Sequence, residues 1–387
     1  MRRIGLSLVT LALVLVVTEA IAWVAFATGL RSMPFRWRDL DALGPVPTQV
    51  EMDTWRTWGW DRELGWLRRG DTEETVRDGD APWSAATDAR GARREPYQAT
   101  AGLVSAYGDS FTFGHEVNDD QTWPHALSER LGTRVDNWGV SGWGPDQAVL
   151  RLARNLPSER TDVVVLAVMS ENIARLLSSY RPFLTREAVM KMAFKPMLTV
   201  HDGVVGWLPS PMVRADTPDD WVAAVAEART TDLWYRENEE RVRLRFPYLF
   251  YLPAALTNAA QHTRAGDLYD RPDAVARLDF VMDELLRLAR VYDFVPVVLF
   301  IPEPADLRRF TRGQPAGYQR YVAALRTRQA TSPLRVVDLL EHAFDAARFN
   351  RKPYKDHPSP YGQQVIADVV ATAIADVPAV ERHAKAR

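Results

Sequence analysis

The stretch Leu103-Val104-Ser105-Ala106-Tyr107-Gly108-Asp109-Ser110-Phe111-Thr112-Phe113-Gly114 decides the fold. It begins as a short apolar run, breaks at a Gly-Asp-Ser turn, and is followed by a segment of helical pattern near Thr122 to Leu131. A buried strand followed by an amphipathic helix is one unit of a parallel sheet. Ligands of open parallel sheets bind at the carboxyl ends of the strands, so Ser110 is expected where a substrate arrives. Taken alone, Gly-Asp-Ser is equally a turn whose serine caps a helix.

The same rhythm recurs after this unit. Arg134 to Asn137 precedes a helical pattern from Asp146 to Asn155, and Val163 to Val168 precedes one from Glu171 to Leu177. Further on come a helix over Pro272 to Val291, a strand over Val295 to Ile301, a helix over Tyr318 to Gln329, a strand over Arg335 to Asp338 and a helix from Pro360 to about Asp376. This pattern predicts an α/β fold with five parallel strands. Residues 182–270 interrupt it with mixed composition and are expected to form an insertion over one end of the sheet. Residues 29–99 hold Trp37, Trp55, Trp58, Trp60, Trp66 and Trp83 in a lead-in of irregular or short-stranded character, and 377–387 form a charged tail expected to fray. For the indoles, packing is the first expectation, with a membrane belt or a sugar-stacking surface as the others.

Three more strand ends carry chemistry. Asn137-Trp138-Gly139-Val140-Ser141-Gly142 follows the second strand, and Gly139 there offers a backbone N–H that can approach a developing oxyanion unhindered. Ser170-Glu171-Asn172 follows the third strand, where the Asn172 amide can supply another donor. Asp356-His357-Pro358 precedes the last helix and brings an imidazole to the same edge.

With these four blocks in order, the chain resembles the SGNH, or GDSL-type, hydrolases, whose name records a Ser, a Gly, an Asn and a His; Ser110, Gly139, Asn172 and His357 stand in those places. The resemblance spans about residues 100–376. In the lead-in, Asp61-Arg62-Glu63-Leu64-Gly65-Trp66 and Asp88-Ala89-Arg90-Gly91-Ala92-Arg93 are similar to elements of membrane-anchored bacterial members. The resemblance implies a three-layer α/β/α fold of flavodoxin-like order and hydrolysis or transfer of acyl esters. It implies Ser110 as nucleophile, His357 as general base, and an oxyanion site built from the N–H groups of Ser110 and Gly139 and the Asn172 side chain. The family's orienting Asp, three residues before the His, is replaced by Tyr354. Asp356 is then the nearest carboxylate in sequence, with a backbone carbonyl and a Ser–His dyad as the alternative. The third block departs as well, with Ser170 and Ile173 flanking Glu171-Asn172.

Composition narrows the field further. Among 387 residues, 48 Lys and Arg nearly balance 50 Asp and Glu, which gives no electrostatic case for nucleic acid. The chain has no cysteine, which excludes disulfides, thiolate metal sites and a cysteine nucleophile. His115-Glu116 lacks a second His at helical spacing, so no zinc-protease signature is present, and neither a phosphate loop nor a Gly-x-Ser-x-Gly elbow occurs. The chemistry requires no metal and no cofactor.

The amino terminus bears on location. Ile4 to Thr18 is uncharged and, after Glu19, the apolar run resumes from Ala20 to Ala27. That is long enough for a bilayer-spanning helix, which takes about 20 residues. Residues 1–28 are therefore expected to be a signal anchor or transmembrane helix, or a signal peptide cleaved at Ala25-Phe26-Ala27, with the catalytic part delivered outside the cytoplasm. A carboxylate such as Glu19 costs about 3 kcal/mol at the bilayer centre and is tolerated near a helix end. The expected substrate is an acyl ester, such as an O-acetyl group, on a cell-envelope glycan or lipid. The rival expectations are an O-acyltransferase of polysaccharide modification and a non-catalytic glycan-binding or scaffold protein.

Overall fold

The computed structural model describes residues 2–24, 45–77, 82–98, 102–184, 190–235, 246–250, 265–351, 353–354 and 357–386. Its first element is helix α1 (Arg2–Val24), which contains the one helix stretch among the described residues long and apolar enough to cross a membrane, Ser7–Val24.

The lead-in supplies helix α2 (Gln49–Trp58), then two small antiparallel pairs, β1 (Trp60–Asp61) with β2 (Gly65–Trp66) and β3 (Glu73–Val76) with β4 (Trp83–Ala86). Helix α2 starts with a capping box, in which Thr48 accepts from the Glu51 N–H while Glu51 reaches back to the Thr48 N–H at 2.7 Å. Met52 and Ala92 belong to the main core, so the lead-in packs onto the sheet domain. Trp66 and Trp83 are buried and Trp55 and Trp60 are partly so, whereas Trp58 is exposed; Trp37 lies outside the described residues.

The sheet consists of β5 (Gly102–Tyr107), β6 (Arg134–Asn137), β7 (Val163–Met169), β10 (Val295–Ile301) and β11 (Arg335–Asp338), all parallel, in the order β11-β10-β7-β5-β6. Counting these strands in chain order gives 2-1-3-4-5, the flavodoxin-like order, whose direction reverses between β5 and β7. Every residue of Val163–Met169 is buried, as befits a central strand covered on both faces. Helix α4 (Trp123–Leu131) packs with the last long helix, Pro360–Ile374, while α5 (Pro145–Asn155) packs with Pro272–Tyr292. The fold is thus a five-stranded parallel sheet with flanking helices.

The region between β7 and Pro272 holds a hairpin, β8 (Met197–His201) with β9 (Val204–Leu208), and a helix over Pro218–Thr231. Two local expectations change. Glu171 to Leu177 lies in a 3₁₀ helix, Ser170–Leu177. The tail does not fray but forms a helix, Pro378–Lys385, in which Ala379 and Val380 are buried and His383 meets the Gly132 carbonyl at 3.1 Å.

Candidate active site

At the switch point between β5 and β7, the chain leaves β5 through Gly108-Asp109 and enters a single helical turn, α3 (Ser110–Phe113). Asp109 caps this turn with one carboxylate oxygen, which accepts from the Phe111 N–H at 2.9 Å. Its other oxygen takes the Arg175 Nη1 at 3.0 Å, a pair in which both side chains are buried. Gly108 is required by space, because a Cβ there would sit 2.8 Å from the Ala167 carbonyl oxygen on the neighbouring strand. The turn closes at Gly114 in the left-handed region, φ 78°.

Two arginines absent from the sequence-based site brace this turn. Arg93, almost fully buried, donates to the carbonyls of Phe113 and Val117, both at 2.7 Å, and pairs with Asp119 at 2.8 Å. It thereby satisfies carbonyls that a helix end leaves open. Arg175, from the 3₁₀ helix after β7, bonds both Asp109 and the Trp143 carbonyl at 2.8 Å, so it ties together all three strand-end loops.

His357 and Ser110 come together: His357 Nε2 lies 3.0 Å from Ser110 Oγ. This is hydrogen-bond reach for a base and its nucleophile. The His357 ring packs beside Phe111 at 5.4 Å and His115 at 4.9 Å between centroids. Its other nitrogen, Nδ1, faces Glu116 Oε2 at 3.3 Å. Glu116 has φ 70°, an uncommon conformation for a non-glycine residue. Asp356, the acid expected from sequence, lies outside the described residues. Sequence alone does not single out Glu116 as a partner of His357, because it follows Ser110 and stands far from His357 in the chain; the signal that points to it is its place in His115-Glu116 directly after the Gly114 turn.

The oxyanion residues need one correction. The Gly139 N–H donates to Asn137 Oδ1 at 3.0 Å, and Asn137 Nδ2 in turn donates to the Thr112 carbonyl at 2.8 Å. A Cβ on Gly139 would meet Phe113 N at 2.2 Å. Gly139 therefore supports the underside of the nucleophile turn, and its N–H is already engaged. Gly142, three residues on, lines the cleft with Ser110; its φ is 84°, and its N–H makes no hydrogen bond among the described residues. The loop carrying it is held by the lead-in: Trp66 Nε1 donates to the Ser141 carbonyl at 3.1 Å, and Trp143 Nε1 donates to the Trp66 carbonyl at 2.8 Å. Asn172 is buried at the start of the 3₁₀ helix, with Oδ1 lacking a hydrogen-bond partner among the described residues.

The cleft has a volume of about 590 Å³ and is edged by Glu171, Arg175, Arg181, Glu303 and Arg308 besides Ser110 and His357. Burial, with Glu171 and Asp306 as like-charged neighbours, raises the Glu303 carboxyl to about 7. Burial and the neighbouring His357 lower His115 to about 4, so His115 is neutral at pH 7. Among the described residues no group of three or more His, Asp or Glu is arranged to hold a metal ion.

No family model matches the chain, and no curated protein matches it. Among solved structures it is similar to a protein from Desulfitobacterium hafniense DCB-2 described as lipolytic and of the G-D-S-L family, at 12% identity over 70% of this chain and 98% of that one, with a TM-score of 0.35. It is also similar to a member of the lipolytic protein G-D-S-L family from Veillonella parvula DSM 2008, at 11% identity over 71% of this chain and 97% of that one, with a TM-score of 0.33.

Proposed function

We propose that the protein is a serine esterase of the SGNH type, tethered to a membrane by α1 with its catalytic domain on the outer face. The observation that carries this reading is the array Ser110 Oγ–His357 Nε2 at 3.0 Å and His357 Nδ1–Glu116 at 3.3 Å, at the edge of the sheet where its strand order reverses.

The steps follow from the groups present. His357 takes the Ser110 proton as Oγ attacks the ester carbonyl, and Glu116 fixes the ring and stabilises the imidazolium that forms. The oxyanion is met by the Ser110 and Gly142 N–H groups and by the Asn172 amide. Proton return from His357 to the departing alkoxide leaves an acyl-serine, which water, deprotonated by the same imidazole, releases as the free acid. Charged side chains border much of the cleft, which favours a short acyl group on a polar, hydroxyl-bearing carrier such as a cell-envelope glycan.

The test is incubation of the full-length protein with an O-acetylated polysaccharide, following acetate release and transfer to an added acceptor glycan. Release of free acetate that disappears in Ser110→Ala supports the esterase. Transfer to the acceptor with little free acetate would make the protein an acyltransferase using the same acyl-serine. Neither product from a folded protein would contradict this substrate class.

A further inference from the structure

Glu19 is the one charged residue inside the apolar stretch Ser7–Val24, and it is not left facing hydrocarbon. Its carboxylate accepts the backbone N–H groups of Tyr248 and Leu249, the latter at 2.8 Å, from a helical turn that belongs to the insertion 229 and 230 positions further along the chain. A carboxylate that accepts backbone N–H groups satisfies donors that are costly to leave unpaired away from water. Glu19 is half-buried, and Ala22, one turn on along the same face of α1, is buried, so this face of the helix is covered by the protein.

The turn that Glu19 holds is apolar and turned outward. Phe246 is 74% exposed and Phe250 76%, in a stretch that carries no charge from Phe246 to Leu256. Arg241, Arg243 and Arg245 precede it in the sequence. Eleven residues, even if wholly helical, reach about 16 Å, too short to cross a hydrocarbon core of about 30 Å. A stretch of this length suits the boundary between head groups and acyl chains, with basic residues toward the head groups.

Glu19 lies in the second half of the apolar stretch, toward its carboxyl end. Trp23, half exposed at the same end, suits the aromatic belt found at that level.

We infer that the Phe246–Phe250 turn is a second membrane contact, inserted at the lipid boundary beside α1 and fastened to it by Glu19, so that the catalytic domain is held against the bilayer at two points. The inference rests on the reading of α1 as a membrane anchor. Its partner is the lipid surface itself, indicated by direct continuity with the apolar helix. The contact would fix the orientation of the domain relative to the membrane instead of leaving it to swing on a single tether.

Because the chain contains no cysteine, a nitroxide can be placed at one chosen position in the full-length protein. Labels at Phe250→Cys, Leu13→Cys and Val204→Cys, the last on the exposed tip of the β8–β9 hairpin, are compared in phosphatidylcholine–phosphatidylglycerol vesicles. The readout is collision with oxygen, which concentrates in lipid, against a water-soluble nickel chelate. The inference predicts that the label at 250 is severalfold less accessible to nickel than that at 204, and that Glu19→Ala restores nickel access at 250 without changing position 13. A label at 250 as open to nickel as that at 204, with position 13 embedded, overturns the second contact alone. Nickel access at position 13 as well overturns the anchor and with it the inference. A shielded label at 250 that Glu19→Ala leaves unmoved overturns the role given to Glu19.

Discussion

Glu116 Oε2 lies 3.3 Å from His357 Nδ1, so the carboxylate that meets the imidazole comes from the segment immediately after the Ser110–Phe113 turn. One short stretch, Ser110 to Glu116, thus supplies the partners of both ring nitrogens of His357. The left-handed conformation of Glu116, φ 70°, is part of how its side chain is turned back toward His357.

This pairing predicts an asymmetry between two carboxylates. Glu116→Gln should lower kcat by about 10²–10⁴-fold, because an amide neither stabilises the imidazolium nor enforces the right tautomer. Asp356→Asn should leave kcat within a fewfold of the parent. Steady-state kinetics on a nitrophenyl ester separates the two; the reverse ranking would move the acid to Asp356.

The glycine and asparagine of the expected oxyanion site should part in their effects. Gly139→Ala drives a Cβ to 2.2 Å from Phe113 N and should lower stability by about 1–3 kcal/mol or more, seen in a thermal melt. Asn172→Ala should fold and lose about 10²–10³ in kcat, the usual cost of one oxyanion donor.

Arg93 is the lead-in's hold on the nucleophile turn. Arg93→Met deprives Asp119 of its ion pair and the Phe113 and Val117 carbonyls of their 2.7 Å donor, for a predicted loss of about 3–5 kcal/mol in denaturant unfolding. A variant as stable as the parent would show that the lead-in is dispensable to the turn.

Glu303 gives a pH-dependent signature. Its carboxyl is raised from 4.5 to about 7 in the folded chain, so between those values the folded state holds a proton that the unfolded state has released. Ionising it is penalised only in the folded state, so its contribution to stability declines as pH rises through this window and is flat above it. The stability of the parent minus that of Glu303→Gln should therefore fall from pH 4.5 to 7, by up to about 3 kcal/mol. Parallel stability curves for the two proteins across that range would contradict the raised value.

Much of the frame could be read directly from the sequence. Strands Val295–Ile301 and Arg335–Asp338 fall where the apolar runs predicted, since fully buried parallel strands leave a plain hydrophobic signature. That Ser110 and His357 meet at one edge of the sheet was legible because each sits at a strand end or before a helix that the pattern locates. That the expected donor, the Gly139 N–H, is occupied was not readable from spacing, since the Asn137 side chain takes it. Glu116 and Arg175 act through contacts between distant loops, which no local period records. Glu19 read as an awkward charge in an apolar helix because its partners stand more than two hundred residues away.

The most direct test of the central claim is labelling of the full-length protein by a fluorophosphonate probe, followed by mass spectrometry of the modified peptide. The account predicts modification at Ser110, lost in Ser110→Ala and strongly slowed in His357→Ala, because only an activated serine hydroxyl attacks the phosphorus. A folded parent protein that takes up no probe, or takes it up elsewhere at the same rate in all three proteins, would contradict the claim that Ser110 and His357 form a working nucleophile and base.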